Sequence, residues 1–189
     1  AIKDASPRIV EKMAKKLKIE KKTKILDLGS GYGGAARYLA ETYNCDVTCL
    51  NLSKTQNEKN KFINKNKHLD DLITIVKGNF EDIPFPDNSY DIVWSQDAIV
   101  HSSNRGKVIN EVNRVLVNSG EFIFTDLMQA ADCPDEVLKP VLDRIHLDSL
   151  GSFDFYVEQA KKNGIKNIQI VDLSDHLTTH YRRVKEETQ

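Results

Sequence analysis

The stretch from Lys24 to Ser53, KILDLGSGYGGAARYLAETYNCDVTCLNLS, narrows the possible folds of this 189-residue chain more than any other. The apolar run KILDL (24–28) leads straight into Gly29, Gly31, Gly33 and Gly34. Ala36, Leu39, Ala40 and Tyr43 follow at helical spacing, and then DVTCL (46–50), a run of strand formers. A strand that turns through glycines into a helix and comes back as a second strand is a βαβ unit, whose two strands are parallel. The glycines allow a tight turn and let a ligand approach the N–H groups at a helix N-terminus.

The rest of the chain extends the same alternation. Ser6-Pro7 reads as a helix start, followed by Ile9, Val10, Met13, Ala14 and Leu17. Ser53 caps the polar helix SKTQNEKNKFINKN, and LITIV (72–76) is a third strand. YDIVWS (90–95) is a fourth strand, and NRGKVINEVNRVLV sets Val108, Val112, Val115 and Leu116 on one helical face. NSG (118–120) is expected to stop that helix before the strand EFIFTDL (121–127). PDEVLKPVLDRIH (134–146) is helical with a kink expected at Pro140, and Ser152 opens a helix that ends near Gly164. NIQIV (167–171) is the expected sixth strand, and the tail from Ser174 reads as helix. This is the pattern of a doubly wound, mostly parallel α/β sheet in one domain over residues 1–189.

Charge and composition exclude several classes. With 27 basic and 28 acidic residues the net charge is -1, so no global field draws the chain to nucleic acid or an anionic membrane. No apolar run approaches the roughly 20 residues of a membrane span, and no secretory signal is visible. Cys45, Cys49 and Cys133 form neither an even disulfide set nor a CxxC pair, which points to a reducing cytoplasm. His146, His176 and His180 lack metal-ligand spacing, so no metal site is expected. The first residue is Ala1 rather than Met, and the chain is expected to be a fragment of a longer protein.

Gly29-x-Gly31-x-x-Gly34 formally satisfies the dinucleotide fingerprint, but two neighbours separate the candidate ligands. Asp27 stands two residues before Gly29, where a carboxylate would repel a pyrophosphate and would suit an ammonium ligand without phosphate. Asn51 ends the second strand, where a dinucleotide site wants an acid for the ribose. An acid before the glycine loop therefore favours S-adenosylmethionine over NAD. Asp27 could otherwise be a turn cap.

ILDLGSGYGGAARYLA also resembles motif I of the class I S-adenosylmethionine-dependent methyltransferases. GNFEDIPFPDNSYDIVWSQDAIVH and EVNRVLVNSGEFIFTDL resemble that family's later motifs, in order and spacing. NLSKTQNEKN and WSQDAIVHS are most similar to the small-amine N-methyltransferases, sarcosine and dimethylglycine methyltransferases, that make glycine betaine. Phosphoethanolamine methyltransferases, through DAIVH, and cyclopropane fatty acid synthases, through LSKTQ, are the next likenesses.

The resemblance implies a Rossmann-like methyltransferase fold, here without the family's N-terminal lid and antiparallel seventh strand. It implies that Asp27, Gly29, Ser30, Gly31 and Gly33 hold the methionine part and ribose edge of S-adenosylmethionine. Asn51, Leu52 and Gln56 would meet the ribose and adenine, Asn79 and Phe80 the adenine, and Ser95 and Gln96 the methionine end. Asn51 and Asn79 stand where many relatives carry acids, and asparagines in turns are the alternative reading of both.

Transfer to an amine needs its lone pair free and water expelled. His101 follows the fourth strand's carboxyl end, and phosphoethanolamine methyltransferases use the matching histidine in catalysis. It reads equally as a capping or packing residue. Asp97 could orient His101 or meet the substrate cation, and Arg144 could clamp a substrate carboxylate or be a solvated helix residue. Trp94 is expected in the core. The expected partner is a small-molecule amine. Oligomeric state is left open, and a catalytically silent cofactor-binding module is the alternative from a different class.

Overall fold

The computed structural model describes residues 2–174. Its centre is a parallel five-stranded sheet: β1 (Lys24–Leu28), β2 (Asp46–Asn51), β3 (Ile73–Lys77), β4 (Tyr90–Gln96) and β5 (Leu116–Thr125), in the order β3-β2-β1-β4-β5. Among the described residues the helices that accompany it are α1 (Ile2–Ala14), α2 (Gly34–Tyr43), α3 (Lys54–Asn66), α4 (Arg105–Val115), α5 (Asp135–Ile145) and α6 (Phe153–Lys162). A second, two-stranded sheet pairs β6 (Met128–Gln129) with β7 (Gly151–Ser152). The strand order runs outward in both directions from β1 and β4, so the crevice between their carboxyl ends is the topological switch point where open α/β sheets bind ligands.

Alternating side chains divide the apolar residues between the two faces of the sheet. On one face, Ile25, Val47, Cys49, Ile92 and Trp94 pack with Met13 of α1 and Leu39 of α2. On the other, Leu26, Leu28, Leu50 and Val93 pack with Val108 and Val112 of α4 and Tyr156 of α6. Trp94 is fully buried, as its place in an apolar strand implies. Caps fall where the polar residues predict them. Ser53 accepts from Gln56 N, and Ser152 accepts from Phe155 N.

Four boundaries differ from the sequence expectation. The first helix begins at Ile2, so Ser6 and Pro7 lie inside it, and Pro7 costs the helix one backbone hydrogen bond. The fourth helix ends at Val115, because Leu116 pairs with Tyr90 as the start of β5. NSG is therefore a bulge within the strand, where Ile92 pairs with Glu121. NIQIV forms no strand, and Ile168, Ile170 and Val171 are exposed. Among the described residues β5 ends the sheet on that side, and none of them adds a strand beside the segment. Among the described residues there is no antiparallel seventh strand. The helix α5 continues across Pro140. The predicted tail helix, with His176 and His180, lies outside the described residues but for its first residue, Ser174, which is helical.

Leu39 ties α2 to the sheet directly behind the glycine turn and has no exposed surface. Leu39→Ala is expected to cost about 2–5 kcal/mol in urea-induced unfolding, the range for an apolar truncation whose cavity collapses only in part.

Candidate active site

The turn between β1 and α2 is built by backbone geometry that favours glycine. Gly29, Gly31 and Gly33 have φ of 70°, 53° and 74°, in the left-handed region. Two of the three are also packed too tightly for a side chain. A Cβ built on Gly29 lies 2.3 Å from Ala98 Cβ, and one on Gly33 lies 2.1 Å from Asn60 Oδ1. Gly29 N–H donates to Leu50 C=O at 2.8 Å, and Gly33 N–H to Ser30 C=O at 2.8 Å, which curls the turn over the end of β2.

Beneath this turn Asp27 is 3% exposed, and its Oδ2 has no hydrogen-bond partner. Burial alone pushes its carboxyl up to about 7. Ser30 Oγ is likewise buried, beside the Cys49 thiol. Burial also pushes the thiol of Cys49, which pairs with Asp27 across the sheet, up to about 12. On the other side of Gly33, Arg37 Nη1 donates to Asn60 Oδ1 at 2.8 Å and Asn64 Oδ1 at 3.1 Å, pinning α3 to α2. Sequence reasoning passed over these two asparagines because they lie among the polar residues of an apparently solvated helix.

At the end of β2, Asn57 Nδ2 donates to Asn51 C=O at 3.0 Å. That fixes which way round the Asn57 amide lies, so its Oδ1 accepts from Asn51 Nδ2 at 3.1 Å. Gln56 Oε1 accepts the second hydrogen of Asn51 Nδ2 at 3.0 Å. Both donors of Asn51 are thus engaged, and its remaining side-chain function is that of an acceptor. Leu52, next along, is 56% exposed.

After β3, Asn79 forms a tight turn. Its Oδ1 accepts from Glu81 N at 2.9 Å, and its C=O accepts from Asp82 N at 3.1 Å. Phe80 is half-buried and lies beside Gly29, with Cε1 3.7 Å from that residue's built Cβ.

After β4 the chain makes a short 3-10 turn, Ile99–His101. Ser95 is fully buried and its Oγ donates to Leu28 C=O at 3.0 Å, so the hydroxyl is spent on joining β4 to β1. Gln96 Oε1 accepts from Trp94 Nε1 at 3.2 Å, leaving its N–H groups as donors. Asp97 has φ 49°, and its Oδ1 accepts from Thr125 Oγ1 at 3.1 Å. No hydrogen bond joins Asp97 to His101 among the described residues, and His101 is exposed.

At the end of β5, Asp126 accepts from Val100 N at 3.0 Å through Oδ1 and from Tyr156 Oη at 2.6 Å through Oδ2. Burial raises its carboxyl to about 6 against the pull of both bonds. Nothing in the sequence singles out Asp126, because its partners lie 26 and 30 residues away along the chain. Arg144 sits in the last turn of α5 and is exposed.

The glycine turn, Asp27, Asn51, Phe80 and the 97–101 segment thus share the carboxyl edge of the sheet, with Gly29, Ala98 and Phe80 in contact distance. The buried Asp27 carboxyl carries a direct consequence for stability. Its pKa rises from 3.8 in the unfolded chain to about 7, so the native state keeps a proton that the unfolded chain releases. This contribution is present below about pH 4 and is lost as pH rises through about 7. Asp27→Asn cannot ionise, so its stability advantage over the parent is expected to grow by roughly 3 kcal/mol across that window. Urea unfolding of the ligand-free chain at the two ends of the range measures it.

Comparison with known proteins places this geometry. A family model described as a methyltransferase domain matches residues 26–124. The glycine/sarcosine/dimethylglycine N-methyltransferase of Actinopolyspora halophila is 51% identical over 98% of this chain and 33% of its own length. The sarcosine/dimethylglycine N-methyltransferase of Aphanothece halophytica is 49% identical over 98% of this chain and 68% of its own. A crystal structure from Galdieria sulphuraria, provisionally assigned as a sarcosine dimethylglycine methyltransferase, superposes with a TM-score of 0.95 at 40% identity, covering 99% of this chain and 72% of that one. The chain therefore spans about a third of one relative's length and about two thirds of the other's, and it belongs to the S-adenosylmethionine-dependent methyltransferases, in the sarcosine/dimethylglycine N-methyltransferase family.

Proposed function

We propose that the chain is the S-adenosylmethionine-binding domain, over residues 1–189, of an enzyme that methylates the nitrogen of sarcosine and dimethylglycine to give glycine betaine. The observation that carries the cofactor site is Asp27, whose buried Oδ2 lacks a partner beneath a glycine turn at the switch point. Such a group is costly to bury unless a ligand completes it. A ligand ammonium would do so and would restore the ionised form, whereas a pyrophosphate would be repelled. The identity to relatives named for sarcosine and dimethylglycine supports the acceptor. Three free cysteines, two of them buried, support a reducing, cytoplasmic setting.

When bound, S-adenosylmethionine supplies an electrophilic methyl group on a sulfonium sulfur. The chain's own residues bind, orient and exclude water. Asp27, Gly29, Ser30, Gly31 and Gly33 would take the methionine part and the ribose edge. Ser95 acts on the same place through Leu28 C=O, and Gln96 offers N–H donors. The acceptor face of Asn51 does for ribose hydroxyls what a carboxylate oxygen would, with Gln56 holding it and Leu52 flanking it. Phe80 offers an apolar surface beside Gly29, and Asn79 shapes the turn that presents it.

The acceptor amine must reach the methyl group neutral, and an alkyl ammonium has a pKa of about 10.4. His101, exposed at the end of the 3-10 turn, is assigned to accept that proton on its imidazole nitrogen. The Asp97 carboxylate, bonded to Thr125 rather than to His101, is suited to the substrate cation. Arg144 is retained for the substrate carboxylate on chemistry alone.

Calorimetric titration with S-adenosylhomocysteine and NAD tests the donor. Binding of the first alone, lost in Asp27→Ala, is the expected result, and binding of NAD alone would overturn the reading. Methyl transfer to sarcosine and dimethylglycine, with none to phosphoethanolamine, is expected in the assay that follows. Methylation of phosphobases alone would move the chain to the other amine methyltransferases. Binding without turnover on any acceptor would make it a silent cofactor module. His101→Ala is expected to lower kcat by about 10²–10⁴-fold, the usual worth of a positioned acid or base.

A further inference from the structure

We propose that Asp126 is a positioning residue for His101, acting from the end of β5 through the backbone of Val100. The inference rests on the role given to His101 above. The 3-10 turn Ile99–His101 has three residues, with internal bonds from His101 N to Ala98 O at 3.1 Å and from Ser102 N to Ile99 O at 2.9 Å. A single turn of this kind does not hold its shape unaided. Here both polar groups of the Val100 backbone are taken from outside the turn. The N–H donates to Asp126 Oδ1 at 3.0 Å, a bond to a carboxylate and so stronger than a neutral one. The C=O accepts from Arg105 Nη2 at 2.8 Å, and the same guanidinium grips Ser149 C=O at 2.6 Å.

Asp126 is held in its turn. Tyr156 Oη donates to its second oxygen at 2.6 Å, and Tyr156 is buried in the α4–α6 side of the core. A chain of contacts thus runs from that core through Tyr156 and Asp126 to the amide of Val100, the residue before His101. On the far side of the turn, Ser102 Oγ and Asn104 N both donate to Glu81 Oε1, at 2.6 and 3.1 Å. Ile99 and Val100 are buried and His101 is exposed, so this anchoring fixes the backbone while leaving the imidazole at the surface. Neither carboxylate oxygen of Asp126 is left without a bond, which favours a holding role over direct contact with the acceptor.

The test compares Asp126→Ala, Asp126→Asn, His101→Ala and the double variant Asp126→Ala/His101→Ala on the full chain, with S-adenosylmethionine and dimethylglycine. Asp126→Ala is expected to lower kcat by about 10–100-fold, the effect of a misplacement near 1 Å. The KM for S-adenosylmethionine should stay within about twofold, because the glycine turn is built on other strands. Asp126→Asn should recover most of the rate, since its amide oxygen still accepts from Val100 N–H and its N–H₂ can donate to Tyr156 Oη. In the His101→Ala background Asp126→Ala should add little further loss. Hydrogen exchange over residues 98–104 should quicken in Asp126→Ala and stay near the parent in Asp126→Asn, with residues 29–33 unchanged.

An equal fall in kcat with and without His101 would overturn the proposal, as would unchanged exchange over 98–104. If His101→Ala alone left kcat intact, the assignment of His101 would fall, and the exchange measurement would still decide whether Asp126 holds the turn. Should Asp126→Ala fail to fold, Asp126→Ser, too short to reach the Val100 amide, is read by the same criteria.

Discussion

The close approach of Gly29 to Ala98 is the contact on which the site depends. It joins the turn after β1 to the turn after β4, the two strands at which the sheet reverses its order. A methyl group at Gly29 would meet Ala98 Cβ at 2.3 Å, well inside van der Waals contact, so a side chain there would force the two turns apart. Everything else at the carboxyl edge is arranged around this pair. Phe80 lies beside Gly29, Leu50 C=O receives its N–H, and Ser95 fastens β4 to the last carbonyl of β1. The crevice is therefore a product of backbone packing first and of side-chain chemistry second.

Within that frame the polar groups fall into two kinds. One kind joins neighbouring elements and does mechanical work. Asn51 and Asn57 exchange hydrogen bonds, Arg37 joins Asn60 to Asn64, and Glu81 collects donors from 102–104. The other kind is buried and incomplete. Asp27 Oδ2 lies under the glycine turn with no hydrogen-bond partner. Hydrogen bonds between elements make a fold rigid, whereas an unsatisfied buried carboxyl lowers stability until something binds it. The contrast separates the scaffold from the place where a cationic ligand is wanted, and it uses no feature of the acceptor.

The parts of this arrangement that could be read from the chain are those whose chemistry is local. Gly29, Gly31 and Gly33 announce a turn because few other residues take positive φ, and the turn ties two parallel strands together. Ser53 and Ser152 announce helix starts for the same kind of reason, a hydroxyl three residues from the N–H it caps. Pairing across the sheet is not local. VLV at the end of α4 has apolar spacing that suits a helix, yet Leu116 leaves the helix to pair with Tyr90. NIQIV has the composition of a strand, but the described chain offers it no neighbour. Asp126 was invisible for the same reason, since its meaning lies in Val100 and Tyr156.

The same distinction bears on how this fold changes its chemistry. Relatives that share the glycine turn can share a methyl donor without sharing an acceptor, because the residues assigned to the donor sit on β1, β2, β4 and the turns after β1 and β3. The residues assigned to the acceptor sit elsewhere, on the segment after β4 and beyond β5. That second group is placed by long-range contacts: Asp97 by Thr125, Val100 by Asp126 and Arg105, and Ser102 by Glu81. A substitution at any of these supports re-aims the acceptor side while leaving the glycine turn untouched. On that assignment the acceptor side is free to drift in a way that the glycine turn, packed at Gly29 against Ala98, is not.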